Sequence, residues 1–482
     1  MSVRIPAVVA ALMLLIVAVS PAKHVRAQDK AAPTKAAPPK TAQPKKPLPS
    51  KTAEEIEKDE FRAAKRELQV KLRSKQPVER IAALRELSNY RNVEAARLMV
   101  TVGLRDDEPS VRDVAYHLLL EVNDDTEVAR YLLVTANKDT RYDAVNPTTL
   151  QLLAVLLSSQ SPDVLRDTSA FLDKRAGTHE GLIMVETLAD ELGSRGQAED
   201  VTPLAKLAGL KVFAAEFGLR RAVAEALMKI SDPKAIGQLV ALLEKVQGEI
   251  RAEIVKHLTE MTGQNLGVET APWREWWKAN EKSFQLVAAI PKKDTKDASL
   301  IELLKDKPKY YGLSIYAQRM VFIIDTSGSM LQGGRLMAAK RELLQAIDGL
   351  TDDSQFSVVA FNAEVYPWQK HLVPANASMK HAASQWVDSL DTGTNTASFD
   401  ALEAGLHFDA EAIFFLTDGV PQGGNINNPA DIVNLITRGN SAKRMSIYTI
   451  GIGVLGPQGG LFEQFLTALA KRNWGVYRRV DN

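Results

Sequence analysis

The sequence predicts a multidomain protein in which an all-α helical solenoid is followed by an α/β, doubly wound, Rossmann-like domain. Three observations carry that prediction. From residue 54 to about 267, paired helical patterns recur at a near-constant spacing. From Arg319 onward, short apolar runs alternate with amphipathic stretches of helical length. The length of 482 residues also leaves room for more than one core.

Composition narrows the function before any motif is read. Hydrophobic residues make up 45% and charged residues 25%, ordinary for a globular chain. Lys and Arg number 60 against 59 Asp and Glu, a formal charge of +1. That balance argues against a nucleic-acid binder relying on a global basic field. The absence of cysteine excludes disulfides, Cys-based zinc or iron–sulfur sites and a thiol nucleophile. Seven histidines, none in HExxH spacing, make a zinc hydrolase a poor fit.

Residues 1–27 read as an export signal peptide. Arg4 supplies a positive start, Ile5–Val19 is apolar apart from Pro6, and Val25-Arg26-Ala27 offers a small-residue cleavage site. An apolar run of about 15 residues is short against the ~20 that a spanning helix needs. The rest of the chain is therefore expected outside the cytoplasm, periplasmic or secreted. Lys23 and Arg26 leave an uncleaved anchor as the alternative, the one route to membrane contact. In residues 28–53, 18 of 26 positions are Ala, Lys or Pro. Such a segment buries too little apolar surface to order itself and reads as a flexible linker.

The helical region spans 54–267. Pro77-Val78-x-x-Ile81-Ala82 recurs as Ser110-Val111-x-x-Val114-Ala115, 33 residues on. Leu219-x-x-Ala222-Val223 and Ile250-x-x-Glu253-Ile254 repeat the pattern 31 residues apart. Asp106-Asp107-Glu108-Pro109 and Ser231-Asp232-Pro233 are turn signals ahead of such units. This patterning resembles the HEAT repeat family, which implies stacked helix pairs and a protein-binding face. Residues 268–317 read as a cap and connector. Trp273, Trp276 and Trp277 fall on one helical stripe, as expected of residues closing the open end of an array.

The α/β region, 318–482, starts with Met320–Ile324, a continuous apolar run expected of a strand buried on both faces. Further strands are expected at Gln355–Phe361, Ala412–Leu416, Met445–Ile452 and Gly475–Val480. Helices are expected at 335–350, about 378–390, 396–406, 429–438 and about 461–472. Ligands of such sheets bind beyond the carboxyl ends of the strands. Three oxygen-bearing segments fall there: Asp325-Thr326-Ser327-Gly328-Ser329, the Gly393-Thr394-Asn395 loop, and Thr417-Asp418-Gly419. Asp325, Ser327, Ser329, Thr394 and Asp418 offer two carboxylates and three hydroxyls, a set suited to a hard cation such as Mg²⁺ or Mn²⁺.

Those motifs resemble the von Willebrand factor A (VWA) family and its metal-ion-dependent adhesion site (MIDAS). Asp325, Ser327 and Ser329 match the DxSxS element, Thr394 the threonine loop, and Asp418 the TDG element. Thr392-Gly393 stands where many members have Gly-Gly. The resemblance implies that the three hydroxyls would bind the ion directly and the aspartates directly or through water. It further implies an open coordination position for an exposed Asp or Glu of a protein partner. With Tyr310-Tyr311-Gly312 and the Trp cluster, the whole resembles a bacterial architecture that joins HEAT repeats to a C-terminal VWA domain. The expected function is non-enzymatic adhesion or protein interaction, with no nucleic-acid partner.

Two other readings are weighed. A metal-independent envelope scaffold would use the helical and VWA surfaces for assembly alone. An aspartic protease is hinted at by Asp325-Thr326-Ser327 and Asp391-Thr392-Gly393. Against it, Ser327 replaces the motif glycine, and long helical patterns fill the 66 residues between the aspartates. Gly423-Gly424-Asn425 and Gly459-Gly460 lack the Lys-Ser/Thr ending of a phosphate loop and read as turns.

Overall fold

A computed structural model describes residues 53–140, 145–286, 307–453 and 459–481. The expected signal peptide, the Ala/Lys/Pro linker up to residue 52 and the connector between 287 and 306 lie outside the described residues. Residues 57–482 form one compact unit.

The helical array runs from α1 (Ala53–Lys71) through α2 (Pro77–Leu87), α3 (Val93–Leu98), α4 (Pro109–Leu120) and α5 (Thr126–Asp139). It continues with α6 (Pro147–Leu157), α7 (Pro162–Ala176), α8 (His179–Arg195), α9 (Val201–Leu207) and α10 (Lys211–Ala215). It ends with α11 (Phe217–Lys229), α12 (Pro233–Leu242), α13 (Gly248–Thr262) and α14 (Thr270–Asn280). Local sequence places these ends. Pro77, Pro109, Pro147, Pro162 and Pro233 each sit in the first turn of a helix, where the missing N–H has no helical partner to lose. Asn92, Asp125, Asn146, Thr178 and Asp232 cap their helices by accepting backbone N–H bonds.

Packing arranges the helices in two layers, consistent with repeats. One layer follows α2, α4, α6, α8, α11 and α13, and the other includes α3, α5 and α7, then α12 and α14. A single apolar core runs between them. At its end Trp273 is fully buried, and its indole N–H donates to the Gly267 carbonyl at 2.8 Å. Trp276 and Trp277 pack edge-on against Phe284.

The α/β domain opens with a hairpin of β1 (Lys309–Tyr310) and β2 (Leu313–Ser314). Its main strands are β3 (Arg319–Asp325), β4 (Gln355–Phe361), β7 (Ala412–Thr417), β8 (Ser446–Ile452) and β9 (Tyr477–Val480). Two short edge strands, β5 (Val365–Pro367) and β6 (Val373–Pro374), pair antiparallel to β4. The seven-stranded sheet has the order β5-β4-β3-β7-β8-β9, with β6 off this path and paired to β4. β5, β6 and the hairpin were not anticipated from sequence, because two or three residues carry no period.

Side-chain alternation divides the sheet into two cores. Met320, Phe322 and Ile324 point to one face, where α15 (Arg335–Asp348) and α16 (Ala377–Ser389) pack with Tyr310 of the hairpin. Val321 and Ile323 point to the other, covered by α17 (Ser398–Leu406), α18 (Pro429–Gly439) and α19 (Gly459–Arg472). Phe322, Phe414 and Tyr448 stack across three strands, with centroids 5.3 and 4.9 Å apart. Each such ring contributes roughly 1.5–3 kcal/mol by leaving water.

The array and the sheet meet at the amino ends of the strands. Arg221 of α11 is fully buried there. It donates to the Arg444 carbonyl, to Ser446 Oγ at 3.0 Å and to Glu253 Oε1 at 2.6 Å. Arg444 in turn pairs with Asp190 and with Glu225, and the Trp474 indole N–H donates to Glu225. Tyr448 donates to Glu249 Oε2 of α13 at 2.8 Å. Gly218 lets the backbones touch: a Cβ there would lie 1.9 Å from the Ala442 carbonyl oxygen. Burial raises the Glu186 carboxyl to about 8 and that of Glu249 to about 7.

Candidate metal centre

The opposite, carboxyl end of the sheet carries the oxygen-bearing loops. β3 lies between β4 and β7, parallel to both, so the chain leaves β3 toward one side and later returns on the other. The loops after β3 and β7 therefore emerge side by side at a topological switch point. Hydrogen bonds stitch a third loop to them. Thr326 donates to the Phe361 carbonyl through its N–H at 2.7 Å and through Oγ1 at 3.0 Å. Gly393 N–H donates to the Thr326 carbonyl at 2.8 Å, and Asn362 Nδ2 to Thr326 Oγ1 at 3.3 Å.

Four of the five expected residues form one hydrogen-bonded chain. Asp325 is fully buried; its Oδ1 accepts from Ser327 N–H at 2.7 Å and its Oδ2 from Thr417 Oγ1. Ser327 Oγ and Ser329 Oγ are 3.1 Å apart. Ser329 Oγ donates to Asp418 Oδ1 at 2.7 Å. Thr394 is exposed on the loop that Gly393 anchors, beside this chain but outside its hydrogen bonds.

The donor set fits a small divalent ion. With metal–oxygen distances of about 2.0–2.1 Å, adjacent oxygens of an octahedral shell stand roughly 2.9 Å apart. The Ser327–Ser329 and Ser329–Asp418 spacings, 3.1 and 2.7 Å, bracket that value. Burial raises the Asp325 carboxyl to about 6, against the lowering effect of its bonds from Thr417 and Ser327. Among the described residues no group of three or more His, Cys, Asp or Glu is placed to hold a metal. A site here would therefore rely on hydroxyls as much as carboxylates.

Sequence reasoning missed Thr417 as the donor to Asp325, and it missed Arg335. Arg335 Nη1 donates to Asp418 Oδ2 at 2.9 Å, so both oxygens of that buried carboxylate are engaged. The signal was available in principle. Arg335 opens α15, where a cation opposes the helix dipole and an acidic residue is the favoured choice.

Asp391, the second aspartate of the protease-like pair, is exposed, whereas Asp325 is fully buried in an α/β sheet. The pair does not have the shared burial that a carboxylate dyad needs.

Comparison with known proteins finds a family match over the α/β domain. Residues 318–479 match the model of the von Willebrand factor type A domain. Inter-alpha-trypsin inhibitor heavy chain H4 of Homo sapiens is 29% identical over 182 residues, 35% of this chain and 19% of that protein. Heavy chain H3 of Mus musculus is 28% identical over 182 residues, again 35% of this chain and 20% of the relative. The chain thus spans about a fifth of the length of the curated relatives it matches. A solved structure described as von Willebrand factor type A from Catenulispora acidiphila is 26% identical, covering 34% of this chain and 38% of that one, with a TM-score of 0.31. Residues 318–479 are a von Willebrand factor type A domain, set behind a helical array.

Proposed function

We propose that this chain is an exported, non-enzymatic interaction protein whose VWA domain captures an acidic residue of a protein partner through a divalent ion. Asp325, Ser327, Ser329, Thr394 and Asp418 would hold Mg²⁺ or Mn²⁺. The ion would supply an electrophilic point at the sheet's carboxyl end, where an exposed Asp or Glu could complete its shell. The observation that carries this reading is the run of oxygens from Ser327 through Ser329 to Asp418 across two separate loops, with Asp325 joined to it through the Ser327 N–H. Two buried carboxylates in one crevice, with desolvation raising Asp325, are an arrangement that a cation relieves. The chain's own residues do the rest: Thr326, Asn362 and Gly393 hold the loops in register.

Localisation outside the cytoplasm rests on the signal-like residues 1–27. Among the described residues no helix is long and apolar enough to cross a membrane.

The reading is tested by titrating Mn²⁺ into the full chain and following the free ion by electron paramagnetic resonance. One saturable site that Asp325→Ala removes is the expected result. Retention on immobilised poly-glutamate, released by chelator, is expected alongside it. A second reading, a metal-independent scaffold, draws support from the internal pairing of Asp418 with Ser329 and Arg335. It predicts that Asp325→Ala leaves partner retention unchanged.

A further inference from the structure

Arg335 has no place in the donor set, yet its guanidinium lies against it. The side chain is largely buried, with Nη1 2.9 Å from Asp418 Oδ2. Nε is buried without a hydrogen-bond partner, so the group is not held there by saturating its own donors. It is wedged against Gly453 at the end of β8: a Cβ at Gly453 would come within 2.5–2.6 Å of Nε, Cζ and Nη2. Gly453 is itself fixed, donating to the Val480 carbonyl at 2.9 Å. Three elements thus confine this cation beside Asp418, namely the start of α15, the loop after β7 and the end of β8. The position runs against the dipole of α15, which has no acidic residue in its first turn and no side-chain cap. Helix stability therefore does not account for it.

The electrostatic consequence follows from charge counting. Asp325 and Asp418 supply two negative charges, and Arg335 returns one positive charge within hydrogen-bond distance of the second. A divalent ion entering beside Asp418 meets this fixed cation a few ångström away and must share the carboxylate with it. Building on the proposed ion site, we propose that Arg335 is a resident counter-charge: it orients Asp418 toward the site and holds ion affinity below what the oxygens alone would give. A partner carboxylate then restores the missing negative charge, so ion retention and partner capture support each other. Arg335 acts through Asp418 and is a positioning residue.

The test compares Mn²⁺ affinity of the full chain, by electron paramagnetic resonance, for wild type, Arg335→Gln, Arg335→Lys and Asp325→Ala. Circular dichroism confirms that each variant is folded. The expected result is that Arg335→Gln binds Mn²⁺ roughly tenfold more tightly, the scale set by one unit charge at a few ångström in a partly screened site. Arg335→Lys, which keeps the charge, is expected to stay within about twofold of wild type. Added sodium acetate, against sodium chloride at equal ionic strength, is expected to tighten Mn²⁺ binding in wild type more than in Arg335→Gln. Equal or weaker binding by Arg335→Gln, with Asp325→Ala still abolishing the site, overturns the counter-charge while leaving the ion site intact. If no protein shows saturable binding, the ion site and the counter-charge fall together.

Discussion

The two ends of the sheet bury charge in opposite ways. At the amino end, Arg221 pairs with Glu253 and the Arg444 carbonyl, and Arg444 with Asp190 and Glu225, so cations and anions of the same chain face one another. At the carboxyl end, Asp325 is buried on neutral donors alone, and only Asp418 has a cation, Arg335. The first end pairs its cations with carboxylates of the same chain, although Nε of Arg221 and of Arg444 is left without a partner. The second is left short of positive charge. Buried ionic groups can thus close an internal interface or leave a carboxylate without a cation, and the balance of partners decides which.

This contrast makes opposite predictions for charge removal. The largest effect is expected from Arg221→Ala, which strands Glu253 and the Arg444 carbonyl in the buried interface. Urea unfolding of the full chain is expected to show a loss of about 3–5 kcal/mol. A loss below about 1 kcal/mol would mean the amino end is not held by its charges, and the comparison would break. Next, Gly218→Val drives a side chain into the Ala442 carbonyl. It is expected to cost about 2–3 kcal/mol and to speed hydrogen exchange of the amides around Ser446. Unchanged exchange there would show that the two backbones have room to part.

At the other end the sign reverses. Asp325→Asn removes a desolvated charge while keeping an acceptor for Thr417 or Ser327. In chelator-treated protein at pH 7.5 it is expected to raise stability by about 1–2 kcal/mol. Destabilisation instead would put the carboxyl end in the same class as the amino end.

The smallest effect sharpens the amino end. Glu186 and Glu249 hold protons in the folded chain up to about 8 and about 7, whereas the unfolded chain releases them near the usual 4.5. Their contribution is full below about pH 4.5 and is lost as the pH rises toward 8. Glu186→Gln is expected to flatten the fall in unfolding free energy between pH 5.5 and 8. An unaltered slope would mean that Glu186 does not hold its proton through folding.

Much of the α/β domain was legible in the sequence because its strands are long apolar runs. Met320–Ile324, Gln355–Phe361 and Ala412–Leu416 match the observed strands to within a residue or two. Asp325, Ser327, Ser329 and Asp418 were legible because they stand at the ends of those runs. Thr417 was in view within its motif, but its bond to Asp325 depends on two strands being neighbours. Arg335 stood out only as a cation at a helix start, and its pairing with Asp418, 83 positions on, could not be read from sequence.

In the helical region the prolines and capping residues announced where helices begin. They did not announce which surfaces of α8, α11 and α13 meet the sheet. Arg221 reads in sequence as one more polar position on an amphipathic helix; only its contacts with Arg444 and Ser446, more than two hundred residues on, show it as a buried contact between the array and the sheet.

The sequence by itself determined the type and order of the longer elements and the chemistry offered at each strand end, because periodicity, turn residues and ligand-type side chains are local properties. Tertiary structure alone decided which end of the sheet the array covers, which charges are paired and which are left short. Those outcomes depend on distances between residues far apart in the chain, and electrostatic and packing energies are functions of distance rather than of sequence position.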